Sequence, residues 1–218
     1  MRTRRTVQVY VDGFALFKGL LQRRFPEHKW LDLSSLSQRL FPHRDVVGVK
    51  FFTAQLKPQT NDPGVGQRQQ VYWRALRTVG VDIIEGTFRF NRQYLPKSPE
   101  ELDASGKVVT VKVKRPEEKG SDVALASHLI IDAFERVADS YAVITNDSDL
   151  VAPVRMLSDR GHAIALVSVA NGMYNKAFDD VGLETVRQIR RGTLSASQLP
   201  TELVDTDGKT IRKPSMWP

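Results

Sequence analysis

The sequence contains no cysteine in 218 residues, which excludes a disulfide framework, a thiolate nucleophile and a cysteine-ligated zinc. No GxxxxGK[ST] and no GxGxxG occurs, so the phosphate cradles of P-loop and dinucleotide-binding proteins are missing as well. Nor is there an apolar run long enough to span a bilayer, and the basic start "MRTRRTVQVYVDGF" passes directly into a short β-like run instead of a signal-peptide core. Those absences lead to the expectation of a cytoplasmic protein with no membrane partner. What is present is a 41% hydrophobic composition, enough for one α/β domain with a real core. Lysine and arginine number 32 against 25 acids, a formal charge of +7. That balance suits a polyanionic partner such as nucleic acid, and equally a solvated basic surface.

Strand-like and helix-like segments alternate along the chain. "VQVYV" reads as a strand ending at Asp12 and Gly13, and "FALFKGLLQRRF" as a helix carrying Leu16, Leu20 and Leu21 on one face. A helix in "DLSSLSQRLF", capped by Asp32 or Ser34, precedes the strand "VVGVKFFTAQL". "QRQQVYWRALRTVG" predicts an amphipathic helix closed by Gly80, and "VDIIEGTF" a further strand. Residues from about 91 to 118 break the rhythm with prolines, charges and the alternating run "KVVTVKVK", and read as an insertion beside the active face. Alternation then resumes with a long helix capped by Ser121, the strand "SYAVIT", a helix ended by Gly161 and the strand "HAIALVSV". The expected fold is α/β, a three-layer α/β/α sandwich with a mainly parallel central sheet, over residues 1–191. Residues 192–218 are polar and read as a flexible tail or partner-binding arm.

In such a sheet the carboxyl ends of the strands gather along one edge, where ligands bind. Asp12 ends the first strand, Asp147 and Asp149 follow "YAVIT", and Asp122 opens the helix upstream. Each has a local use as turn former, cap or helix N-terminal charge. Capping alone does not require them to share one edge, however, and a convergent set of carboxylates wants a divalent cation. Hard oxygen donors point to Mg²⁺ or Mn²⁺, because zinc would more often recruit histidine. His128 lies six residues after Asp122, off its helical face, and reads as structural.

The segments "YVDGFALFKGL", "EEKGSDVALASHLIIDAF" and "VITNDSDLVAPVRMLSDRGHAIALVS" resemble the three signature segments of the NYN domain, the LabA-like branch of the PIN-like nuclease superfamily, and "DPGVGQRQQVYWRALRT" resembles a further one. The resemblance covers residues 7 to about 190. It implies a PIN-like sandwich and a metal-dependent endoribonuclease in which Asp12, Asp122, Asp147 and Asp149 are both the catalytic and the metal-binding residues. Water activated on Mg²⁺ or Mn²⁺ would then hydrolyse an RNA phosphodiester. Lys18, Arg68, Lys114, Arg115 and Lys119 are the candidate contacts to single-stranded or structured RNA, joined by Asn146 and Ser148 between the acids. Tyr72, Trp73 and Phe88 are candidate base-stacking rings that serve a core equally well. A homodimer is open. Two positions depart from the pattern: Ala15 and Ala124 stand where the family carries asparagine. Alanine neither holds a water nor binds phosphate, so the alternative expectation is an RNA-binding or regulatory module with impaired turnover.

Overall fold

The computed structural model describes residues 4–59, 62–170 and 174–217, with the side chains of 88–92 and 114–119 outside the description. Its centre is a seven-stranded sheet in the order β4-β3-β2-β1-β5-β6-β7, built from β1 (Thr6–Asp12), β2 (Asp45–Ala54), β3 (Val81–Pro96), β4 (Thr110–Lys119), β5 (Tyr141–Thr145), β6 (Ile164–Ser168) and β7 (Thr185–Gln188). Six strands run parallel; β4 alone is antiparallel, pairing with β3 from Thr87↔Lys119 to Pro96↔Thr110. Helices cover both faces, which gives the three-layer α/β/α sandwich expected from the sequence.

Burial on both faces explains the continuous apolar runs of the inner strands. From β1, Val7, Val9 and Val11 point into one core while Tyr10 points into the other; β5 divides the same way, Ala142 and Ile144 against Tyr141 and Val143. The first core is closed by α1 (Leu33–Leu40) and α2 (Val65–Thr78), the second by α3 (Ser121–Glu135) and α4 (Val151–Ser158). Asp32 caps α1, its carboxylate accepting from the Ser35 N–H at 2.9 Å.

The structure corrects three local expectations. The segment after β1 is a π-helix, Ala15–Leu21, whose wider turn shows in the 2.7 Å bond from the Gln22 N–H to the Phe17 carbonyl. The residue before α3 is Gly120 at φ 94°, and Ser121 lies inside the helix, buried. The chain needs a left-handed turn there to leave β4, and glycine adopts it without a Cβ clash. Finally, the segment from residue 192 is docked, not loose. α5 (Arg191–Ser195), β8 (Glu202–Val204) and β9 (Thr210–Arg212) follow β7, and Leu194, Leu199 and Ile211 are buried in the first core. The Trp30 indole N–H donates to the Pro200 carbonyl at 2.7 Å, and Trp217 packs its ring against Trp30 and Tyr72 at 6.0 and 5.6 Å. Among the described residues no helix is long and apolar enough to cross a membrane.

Candidate functional site

The strand order reverses at β1: the chain moves outward through β2 and β3 on one side, then returns to place β5 on the other. A crevice opens at the carboxyl end of such a switch point. Asp12 is the last residue of β1, and Asp147 and Asp149 follow β5, the adjacent strand. Asp122 reaches the same edge from the first turn of α3.

The Asp12 and Asp147 carboxylates are each held by a local bond. One oxygen of Asp12 accepts from the Ala15 N–H at 2.9 Å and the other from the Thr145 hydroxyl at 2.8 Å. The Thr145 oxygen in turn accepts from the Asp147 N–H at 3.1 Å, so the ends of β1 and β5 are tied through one hydroxyl. Asp147 accepts from the Asp149 N–H at 2.9 Å and caps the short 3₁₀ turn Ser148–Leu150. Thr145 is the participant that sequence reading missed. Its only signal is a hydroxyl closing an otherwise apolar strand.

Convergence shows in the charge on Asp122. Its carboxyl is pushed up to about 6, first by partial burial and then by the negative fields of Asp12, Asp147 and Asp149. Among the described residues no lysine or arginine ion-pairs with Asp122, Asp147 or Asp149. The donor set suits a hard divalent cation. As the side chains lie, however, no three acids or imidazoles among the described residues stand close enough to ligate one ion. The four aspartates therefore share an electrostatic field without forming a closed cage.

The turn after Asp12 is packed to contact. A Cβ on Gly13 would fall 2.6 Å from the Phe52 carbonyl oxygen and 2.9 Å from the Phe51 ring, so no other residue fits. Phe14 then emerges 54% exposed at the mouth of a second hollow, ≈ 320 Å³, set between the π-helix, the end of β2, α2 and the C-terminal residues Met216 and Trp217. Lys18 lines that hollow. Arg68 lines it too, but its guanidinium is engaged by Asp62 and by the Met216 sulfur.

The other sequence candidates are placed differently. Lys114, Arg115 and Lys119 sit on β4 opposite Arg92, Asn91 and Thr87, and their side chains, like that of Phe88, lie outside the described residues. The Asn146 side-chain oxygen accepts from the Asn175 N–H at 2.9 Å and serves the loop beyond β6, whereas Ser148 is exposed beside the acids. Tyr72 and Trp73 are fully buried, the Tyr72 hydroxyl donating to the Leu31 carbonyl at 2.7 Å, which makes both of them core residues. Arg74, on the same helix, is paired with Asp205 at 2.5 Å. His128 is 3.4 Å from Lys50, away from the aspartates.

No protein-family profile matches the chain. It is similar to 6-hydroxy-3-succinoylpyridine 3-monooxygenase HspA of Pseudomonas putida (strain DSM 28022 / S16), 28% identical over 247 aligned positions that take in 100% of this chain and 75% of the relative. A solved structure, the protein of unknown function VPA0982 from Vibrio parahaemolyticus RIMD 2210633, superposes with a TM-score of 0.54 at 14% identity, covering 91% of this chain and 99% of that one. At that identity the likeness concerns the fold. The monooxygenase overturns one expectation: the named activity of this relative, three quarters of which aligns with this chain, is oxidative, not hydrolytic, and the assignment of the chain as a metal-dependent ribonuclease is withdrawn.

Proposed function

We propose that the protein is an RNA-binding module of NYN type, in which Asp12, Asp122, Asp147 and Asp149 hold Mg²⁺ or Mn²⁺ and the ion bridges the acidic crevice to a backbone phosphate. The observation that carries this reading is the meeting of four aspartates at the strand switch point, seen in the elevation of Asp122 to about 6, first by burial and then by the fields of Asp12, Asp147 and Asp149. Such crowding is relieved by a cation, and an ion with open positions is in turn satisfied by phosphate oxygen. Support comes from the setting. The chain carries a formal charge of +7 although this crevice is acidic, and β4, with Lys112, Lys114, Arg115 and Lys119 along it, leads directly into the turn before Asp122. Backbone contacts of this kind position a strand without reading its sequence.

The test is fluorescence anisotropy with a labelled single-stranded RNA, in Mn²⁺ and in EDTA, across a salt series. Binding is expected to need the divalent ion, to weaken steeply with salt and to be lost in Asp147→Asn. Equal affinity in EDTA overturns the reading.

The likeness to HspA favours a second reading, oxidation of a heteroaromatic acid. Incubation with 6-hydroxy-3-succinoylpyridine, O₂ and a reduced nicotinamide as two-electron donor tests it. Hydroxylated product supports the reading, and its absence with reductant and O₂ both unconsumed rejects it.

A further inference from the structure

The hollow beyond Gly13 has the features of a built small-molecule site, and nothing in either functional reading uses it. Its volume, ≈ 320 Å³, falls at the lower end of the range for ligand pockets, about 300–1,000 Å³. Its apolar surfaces are aromatic: Phe14, Phe17, Tyr72 and Trp217 line it, with Phe17 edge-on to Tyr72 at 5.5 Å and Trp217 edge-on to Tyr72 at 5.6 Å. Ring faces and edges so arranged accept another planar ring in offset or edge contact.

Charge then narrows the ligand. Lys18 and Lys29 both line the hollow, and among the described residues neither is ion-paired. Arg68 and Asp62, the other charged lining residues, cancel each other in their own ion pair. The charge that remains among the lining residues is therefore that of the two lysines. Trp73 also lines the hollow, and among the described residues its buried indole N–H has no hydrogen-bond partner, an unspent donor. We infer that this hollow binds a small molecule that joins a planar aromatic ring to an anionic group, the ring among Phe14, Phe17, Tyr72 and Trp217 and the anion on Lys18 and Lys29. The inference rests on neither functional reading, since it concerns the cationic, aromatic hollow and not the acidic crevice.

Two sources supply that chemistry, an aromatic carboxylate and a nucleoside monophosphate, and calorimetry separates them. The full chain in EDTA is titrated with nicotinate and, separately, with uridine 5′-monophosphate. Cyclohexanecarboxylate supplies charge without a planar ring, and benzamide a ring without charge. Saturable binding of either aromatic anion is expected, with both controls at least tenfold weaker. Lys18→Gln with Lys29→Gln should weaken binding by about tenfold or more, as loss of a charge-assisted contact implies. Phe14→Ala should weaken it severalfold, and because Phe14 is 54% exposed its truncation leaves the core packing in place. Circular dichroism and the melting temperature of each variant report folding independently. Saturation by nicotinate alone assigns a carboxylic acid, by the nucleotide alone a nucleotide, and by both the shared chemistry. No binding of either anion, equal binding of the controls, or unchanged affinity in folded variants overturns the inference.

Discussion

Replacing Asp122 by asparagine tests the convergence of the carboxylates without any ligand. In the folded protein this carboxyl is raised from 3.8 to about 6, by burial first and then by Asp12, Asp147 and Asp149. Below pH 3.8 the group is protonated in both folded and unfolded chains, and the variant should match the wild type. As pH rises from 3.8 to 6 the unfolded chain loses this proton first. The unfolded state then binds fewer protons than the folded state, so wild-type stability falls relative to the variant. Above 6 both states are ionised and the difference stays level. At about 1.4 kcal/mol per pH unit the undiscounted difference is about 3 kcal/mol. The crevice is open to water, however, and screening reduces the expectation to about 1 kcal/mol. Asp122→Asn should therefore be the more stable protein by about 1 kcal/mol at pH 7.5, with the gain shrinking to zero toward pH 4. Urea denaturation followed by circular dichroism at half-unit steps of pH measures it. A variant less stable than wild type at pH 7.5, or a gain that persists at pH 4, would refute the crowding. Excess Mn²⁺ should narrow the gap by stabilising the wild type more, through mass action on the folded state.

Gly13→Ala places a Cβ 2.6 Å from the Phe52 carbonyl oxygen and should cost about 1–3 kcal/mol, read as a lower urea midpoint at unchanged slope. Lys50→Met removes the ammonium 2.6 Å from Asp132, leaving that buried carboxylate with the Tyr10 hydroxyl at 2.6 Å, and should destabilise by about 3 kcal/mol; a melting temperature within a degree of wild type would contradict the pairing. Thr145→Val removes the hydroxyl that joins Asp12 to the Asp147 backbone, and should cost about 1–2 kcal/mol while weakening the Mn²⁺-induced rise in melting temperature.

How far these features were legible follows from the range of the forces behind them. "VQVYV" and "YAVIT" announce inner strands because both faces are buried and both runs are mostly apolar, Gln8 being the buried polar exception, until the strand ends, where Asp12 and Asn146 meet the edge. The docked C-terminal segment carries no such local signature. β7 shows only Thr185 half-buried, and the order of residues 191–217 comes from distant partners, Trp30 and Tyr72 for Trp217 and Arg74 for Asp205. The aromatic hollow is still less visible, assembled from residues near 14–18, 51–56, 65–73 and 216–217. Arg68 reads from the sequence as a free cation, but Asp62, across the loop before α2, takes its charge.

The acidic site lies between these cases. Three of its members have local tasks that a turn or cap explains: Asp12 accepts from Ala15 three residues on, Asp147 accepts from Asp149, and Asp149 sits in the 3₁₀ turn that Asp147 caps. For Asp12 and Asp147 those tasks do not compete with a shared site, because each bond also fixes where the carboxylate points. The Thr145 hydroxyl extends the restraint from one strand to the next, tying the Asp12 carboxylate to the Asp147 backbone. Asp122 arrives from another layer, placed by the packing of α3 against β1, β2 and β3, with no capping bond of its own. Its partial burial and the combined field of the others raise its carboxyl. That asymmetry separates Asp12 and Asp147, whose carboxylates the fold ties down, from Asp122, whose charge answers to burial and to its acidic neighbours.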